Sequence, residues 1–353
     1  PEWGMFRFGY AYVGESDVGT QTAVLFCMVG IQKIVGLVVE DVRANNDCGQ
    51  AIADVEQRIV HRGTSSPLIL QAMQSGGPAY LDAVTTYEKN VIGFNRANSQ
   101  DTRESLVSIY PQDGTVVADH PFAILNRAPW VSEDQVEAAK IFREFLFTRR
   151  QQGLLLTYGL RPADSAIGLA HPIDAANGAN PAANLVTLRV PDVPVIEQVS
   201  TIWHDVKKPA NVVLVFDKSG SMRGEKIAQA LHGAVAFVRE MDRKDWLVWL
   251  PFDDQLYSGT PGLKLDVGEQ LESEIRSTTA RGETALYDAI AHAYRLLEQR
   301  RESDHNTGRY GIVVLSDGKD TNSQTTLTVL EEMLRPRESD IGGIQIHTIG
   351  VGD

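Results

Sequence analysis

Residues 211–222, NVVLVFDKSGSM, run an apolar strand without a break into an aspartate and two serines. An uninterrupted apolar strand is what a parallel sheet covered on both faces requires. Behind it, Asp217, Ser219 and Ser221 fall on alternate positions of a loop that turns at Gly220, and a helical pattern, EKIAQALHGAVAFVREM, starts at 225. Its apolar positions Ile227, Leu231, Val235 and Val238 share one helical face. A tight loop carrying only hard oxygen side chains suits a phosphate, a serine nucleophile or a hard metal ion.

The alternation continues downstream. WLVWLPF (246–252) and YGIVVLSDG (310–318) read as further buried strands, and IQIHTIGVG (344–352) as another. TALYDAIAHAYRLLEQ (284–299) reads as a helix with Leu286, Ile290, Ala293 and Leu297 inward, and a further helix is expected near 325–334. Strands alternating with helices predict a doubly wound parallel sheet with right-handed crossovers. Ligands in such sheets sit at the carboxyl ends of strands, where Asp217 and Asp317 both fall.

Residue chemistry narrows the loop's use. A nucleophile elbow needs G-x-S-x-G, and the loop offers D-x-S-x-S with no histidine in an evident role. A phosphate cradle calls for several glycines and a lysine reaching in; Lys218 precedes the turn, but the turn itself has one glycine, Gly220. A metal fits better. Mg²⁺ keeps several waters and takes few protein oxygens. Two hydroxyls and a carboxylate come from this loop, a second carboxylate, Asp317, from LSDG, and a threonine, Thr284, from RGETALYD. Two carboxylates balance a divalent charge, and the neutral hydroxyls leave the ion electrophilic enough to accept an outside carboxylate.

D-K-S-G-S at 217–221, Thr284 and Asp317, in that order along the strand–helix pattern, resemble the metal-ion-dependent adhesion site of von Willebrand factor type A domains, over residues 210–353. The resemblance implies Mg²⁺ or Mn²⁺ bound directly by Ser219 and Ser221, with Thr284 direct or through water. Asp217 and Asp317 would act largely through water. It also implies a further strand and helix after IGVGD.

Residues 1–165 are similar in overall pattern to the later half of bacterial extracellular solute-binding proteins, the two-lobed periplasmic type. HRGTSSPLILQAMQSGGPAYLDAVTTYEKNVIGFN and LVSIYPQDGTVVADHPFAILN carry the likeness. It implies an anion held at a helix N-terminus by Thr64, Ser65 and Ser66, with Tyr87 and Glu88 near the hinge or ligand mouth; alternatively, Ser65 and Ser66 only cap that helix. The family has more of its first lobe before WGMFRFGYAYV, so this domain is expected to be partial. Within it, residues 22–31 predict a buried helix. EDQVEAAKIFREFLFTRRQQGLLLTYG predicts another, with Ser132 as N-cap, Val136, Ala139, Phe142 or Arg143 and Leu146 recurring at helical spacing, and Gly159 and Pro162 closing the region. DTRESLVSIYPQDGTVV predicts a strand running into a turn at Pro111, Asp113 and Gly114. Residues 166–209, rich in Ala, Asn, Gly and Pro, predict a surface-hugging connector.

Composition agrees with a globular protein: 43% hydrophobic and 22% charged residues. A formal charge of −13 argues against a nucleic-acid partner. Cys27 and Cys48 allow one disulfide and leave the pairing open. The apolar run at 22–39 is interrupted by Gln32 and Lys33, so it predicts no membrane span. Pro1 is preceded by neither an initiator Met nor a signal peptide, which predicts a processed or partial chain.

Together these features predict a non-catalytic bacterial envelope protein, periplasmic or at the cell surface, that grips a carboxylate of a protein partner through Mg²⁺. A small-anion receptor whose second domain docks a transporter or signalling partner is the first alternative. An accessory subunit of a chelatase- or ATPase-type machine is the second.

Overall fold

The computed structural model describes residues 6–44, 46–77, 80–98, 105–305, 307–335 and 343–352. Contacts divide the chain into two units, residues 1–206 and 207–353.

The first unit runs β1 (Phe8–Ala11), α1 (Asp17–Ile31), α2 (Val39–Ala44), α3 (Asp47–Glu56), β2 (Ile59–Gly63), α4 (Ser66–Gly76), β3 (Ala83–Val84), α5 (Glu88–Ala97), β4 (Thr115–Val116), α6 (Glu133–Leu146), α7 (Arg149–Thr157), β5 (Thr187–Leu188) and α8 (Val193–Val206). Three parallel strands lie in the order β2-β1-β3. Each is followed in the chain by a helix that leaves from the same end of the sheet, except that α2 and α3 intervene before β2. The first turn of α1 presses onto the end of β1: a Cβ at Gly19 would lie 2.3 Å from the Ala11 carbonyl oxygen, so only glycine fits.

The largest core of this unit joins α1, α2, α3 and α8 around Tyr10, Ile52 and Trp203. Within it Cys27 and Cys48 form a disulfide between α1 and α3, both fully buried. Closing a 21-residue separation restrains the unfolded chain. Cys27→Ala with Cys48→Ala should therefore cost about 3 kcal/mol. For a unit of this size that is a fall of about 6–12 °C in Tm, read by calorimetry. An unchanged Tm would show that the bridge adds nothing beyond packing.

Several expectations for this part are corrected. The buried helix is longer than 22–31 and closes at Gln32, whose left-handed φ of +58° ends α1. Residues 105–110 form no strand, and Val107 and Ile109 stay exposed; among the described residues the strand in this stretch is β4, paired with the two-residue β5. Residues 101–104 of that expected strand lie outside the described residues. The single long helix is two, α6 and α7, parted at Thr148, whose hydroxyl accepts from the Gln151 amide. Ser132 does cap α6, in a reciprocal pair with Gln135. The inward face of α6 is shallow: Val136, Ala139 and Leu146 are half-buried and Phe142 is exposed. Residues 166–209 are not all connector either. Val195, Val199 and Trp203 recur every four residues behind Pro194 in the first turn of α8, and that stripe is buried in the core.

The second unit runs β6 (Ala210–Asp217), α9 (Glu225–Glu240), β7 (Trp246–Phe252), β8 (Gly262–Leu263), α10 (Lys264–Arg276), α11 (Leu286–Ser303), β9 (Arg309–Ser316), α12 (Leu327–Leu334) and β10 (Gln345–Gly350). The sheet order is β10-β9-β6-β7-β8, parallel except for β8. Along β6, side chains alternate between two cores. Val212, Leu214 and Phe216 pack with Ala234, Val235 and Val238 of α9 and with Leu271 and Ile275 of α10. Val213 and Val215 pack with Ala289, Ala293 and Leu297 of α11 and Leu330 of α12. Burial on both faces is why β6 carries no polar residue between Val212 and Phe216. The doubly wound α/β expectation for this unit holds. β10 is an edge strand, and most of its residues are exposed.

Candidate functional site

From β6 the chain moves outward in one direction through β7 and β8, and in the other through β9 and β10. The order therefore reverses between β6 and β9, and a crevice at their carboxyl ends is the expected ligand position. Asp217 ends β6 and Asp317 follows β9 directly.

Asp217 is fully buried. Its Oδ1 accepts from the Ser219 amide at 2.8 Å, and its Oδ2 from the Ser316 hydroxyl at 2.5 Å. This carboxylate is thereby spent on shaping the loop, with Ser219 held close behind it. Ser219 Oγ and Ser221 Oγ lie 3.0 Å apart, and Ser221 Oγ donates to Asp317 Oδ1 at 2.7 Å. Since the Ser221 proton goes to the carboxylate, Ser219 is the donor to Ser221. A continuous hydroxyl–hydroxyl–carboxylate chain results. Lys226, in the first turn of α9, donates to Asp317 Oδ2 at 2.6 Å. Burial pushes the Asp317 carboxyl up, but Lys226 and Ser221 outweigh it and hold the group below the ordinary carboxylate range.

The loop carrying Thr284 is bound to the first by main-chain bonds. Gly220 N–H donates to the Gly282 carbonyl at 3.0 Å and Arg281 N–H to the Lys218 carbonyl at 2.7 Å. Gly282 has a φ of +75°, and a Cβ there would lie 2.4 Å from Asp254 Oδ1, so the close approach depends on glycine. Thr284 is buried. Its amide donates to Thr321 Oγ1 at 3.1 Å, and its carbonyl accepts from the Thr321 and Asn322 amides, which ties this loop to the one after β9. The structure thus brings Ser219, Ser221 and Asp317 into direct contact, sets Asp217 behind them, and fixes the Thr284 loop against both.

Lys218 and three residues that the sequence analysis did not single out, Asp253, Tyr257 and Arg281, support these loops. The Lys218 ammonium pairs with Asp253 in the interior and stands 4.0 Å from the centre of the Tyr257 ring. Arg281 Nε reaches the same carboxylate at 3.3 Å, as does the Tyr257 hydroxyl. Burial pushes Asp253 up, but hydrogen bonds from Lys218, the Gln255 amide and Tyr257, together with the Lys218 charge, outweigh it, so the carboxyl titrates below its ordinary range. The available signal was FDD at the end of β7, a strand neighbouring β6.

The candidate donors are all hard oxygens, two carboxylates standing among hydroxyls. That donor set fits Mg²⁺ or Mn²⁺, with water completing the shell. Among the described residues no three His, Cys, Asp or Glu side chains gather to hold a metal. An ion at this position would depend on hydroxyls as much as on charge.

In the first unit, the candidate residues fall at the carboxyl ends of β2 and β3. Thr64 is exposed, and Ser65 takes the N-cap position of α4 with no side-chain cap bond. Ser66 is buried and accepts from Thr86 Oγ1 at 3.1 Å, which joins α4 to the loop that starts α5. Tyr87 is the N-cap residue of α5, its phenol pushed up by burial and by Asp17. Glu88 is already engaged: Arg161 donates to both of its oxygens at 2.8 Å, and Tyr110 donates to Oε1.

Residues 212–319 match the family model of the von Willebrand factor type A domain, and this part of the chain is a domain of that fold. Domains of this class are generally binding modules rather than catalysts. The chain is 26% identical over 147 residues to inter-alpha-trypsin inhibitor heavy chain 4 of Mus musculus, covering 40% of this chain and 15% of that protein. It is 27% identical over 154 residues to inter-alpha-trypsin inhibitor heavy chain H3 of Mesocricetus auratus, covering 41% and 17%. The chain thus matches less than a fifth of the length of these curated relatives. Among solved structures, a von Willebrand factor type A protein from Catenulispora acidiphila is 17% identical with a TM-score of 0.34, covering 41% of this chain and 33% of that one. An aerotolerance-related membrane protein from Bacteroides fragilis is 20% identical with a TM-score of 0.33, covering 40% and 68%. Among the described residues no helix is long and apolar enough to cross a membrane.

Proposed function

We propose that the second unit is a non-catalytic binding module that grips a carboxylate of a protein partner through a divalent cation. The observation that carries the reading is the chain from Ser219 through Ser221 to Asp317, backed by buried Asp217. Ser219 and Ser221 would hold Mg²⁺ or Mn²⁺, with Thr284, Asp217 and Asp317 completing its surroundings directly or through water. The ion would supply an electrophilic position that favours an oxygen anion over an amine. The disulfide between Cys27 and Cys48 supports an extracytoplasmic setting, where such bonds persist.

A ligand that binds only the folded state adds about 2.7 kcal/mol at 100 times its Kd. Calorimetry with and without Mg²⁺ should show a rise in Tm for the wild type, and Asp217→Ala should lose that rise while keeping a cooperative transition. A rise of equal size in Asp217→Ala would refute the site. Once a partner is in hand, its binding should vanish with EDTA.

A second reading assigns the first unit a small-anion ligand. It is favoured by the N-termini of α1, α4 and α5, where Ser16, Ser65 and Tyr87 make no side-chain cap bonds. Glu88 would then serve through its pair with Arg161, not as a free ligand group. Calorimetric titration of phosphate, sulfate and molybdate tests this reading, and no heat from any of the three would count against it.

A further inference from the structure

We propose that Lys226 is a built-in competitor of the divalent cation, an inference that rests on the metal reading above. Its ammonium donates to Asp317 Oδ2 at 2.6 Å while Ser221 takes Oδ1 at 2.7 Å, so both oxygens of this carboxylate are occupied. The Asp317 side chain is only 2% exposed, whereas that of Lys226 is 43% exposed. A carboxylate so enclosed needs a counter-charge, and Lys226 provides it from within the chain. The lysine stem runs beside Gly352, where a Cβ would lie 3.1 Å from Lys226 Cε.

A divalent ion that draws on Asp317 and Ser221 meets this ammonium at a few ångströms, and like charges at that range repel strongly. Full ion binding requires Lys226 to release Oδ2. The side chain can do so because its head already borders solvent and its stem is flexible. Lys226 thus lowers the affinity for the ion and keeps the loops charge-balanced without it. A cluster of bare carboxylates would instead repel itself until an ion arrived.

The test is calorimetric titration of the full chain with Mg²⁺ and with Mn²⁺, for wild type, Lys226→Met, Lys226→Arg and Asp217→Ala, with melting curves alongside. Lys226→Met should bind either ion about tenfold more tightly than wild type, since the competing charge is gone. Lys226→Arg should stay near wild type. Without ion, Lys226→Met should melt below wild type, because Asp317 loses its partner, and saturating ion should raise its Tm by more than it raises that of wild type. Equal or weaker ion affinity in Lys226→Met, with Asp217→Ala still abolishing binding, overturns the competition and leaves the metal reading standing. No binding of either ion by any variant, Lys226→Met included, overturns the metal reading itself. Should Lys226→Met fail to fold, Lys226→Gln replaces it; a Kd for Lys226→Gln equal to that of Lys226→Arg would overturn the proposal.

Discussion

Glu56→Ala should lower the stability of the first unit by about 3–5 kcal/mol, one of the two largest effects expected of any single substitution in the chain. The Glu56 and Arg62 side chains are each 1% exposed and paired with one another. Glu56 Oε1 also accepts from the Tyr10 hydroxyl and, at 2.8 Å, from Trp203 Nε1. The Arg62 guanidinium lies 4.1 Å from the centre of the Tyr10 ring and 5.2 Å from that of Trp203. Removing the carboxylate leaves a cation in a dry, aromatic site with its shared acceptor gone.

The same physics makes a contrasting forecast. Replacing both members with apolar side chains, Glu56→Leu with Arg62→Met, removes the desolvated charges together and should cost far less than Glu56→Ala alone. Urea denaturation of the three proteins decides the matter. A loss in Glu56→Ala no larger than that of the double variant would mean water reaches Arg62 in the folded state.

That cluster was invisible in the sequence, and the reason is geometric. Tyr10, Glu56, Arg62 and Trp203 come from β1, α3, β2 and α8, and nothing local marks them as neighbours. α8 itself escaped notice because proline and alanine around 181–194 masked a stripe of only three buried residues. α10 was missed for a similar reason: Val267, Leu271 and Ile275 repeat every four residues, but between charged neighbours. By contrast, β6, β7 and β9 were legible because strands buried on both faces tolerate few polar side chains, leaving long apolar runs. The candidate site was legible to the extent that its groups sit at the ends of those runs, as Asp217 and Asp317 do. Lys226 and Ser316 were not, because a search for oxygen ligands passes over the lysine that neutralises one and the hydroxyl that positions another.

Asp253→Ala should be comparably severe for the second unit, at about 3–5 kcal/mol, because it strands the Lys218 ammonium in the interior. The Lys218 side chain is 7% exposed and that of Asp253 fully buried. Asp253 Oδ1 further accepts from the Gln255 amide at 2.9 Å, so the carboxylate also shapes the turn after β7. pH gives an independent check. Asp253 and Asp317 both titrate below the ordinary carboxylate range in the folded state. A depressed folded pKa gives stability that is present in full above the unfolded value, about 3.9 for Asp, and lost as pH falls through the folded value. Wild type should therefore weaken as pH drops below about 4, and its advantage over Asp253→Ala should narrow in that window. The ion response should suffer too, since Lys218 lies between Asp217 and Ser219 and its carbonyl receives the Arg281 amide that holds the Thr284 loop. The Mg²⁺-induced rise in Tm should accordingly be smaller in Asp253→Ala than in wild type. A variant with wild-type stability at pH 7 would show that Lys218 reaches water. A destabilised variant with an undiminished ion response would show that the loops keep their geometry without the pair.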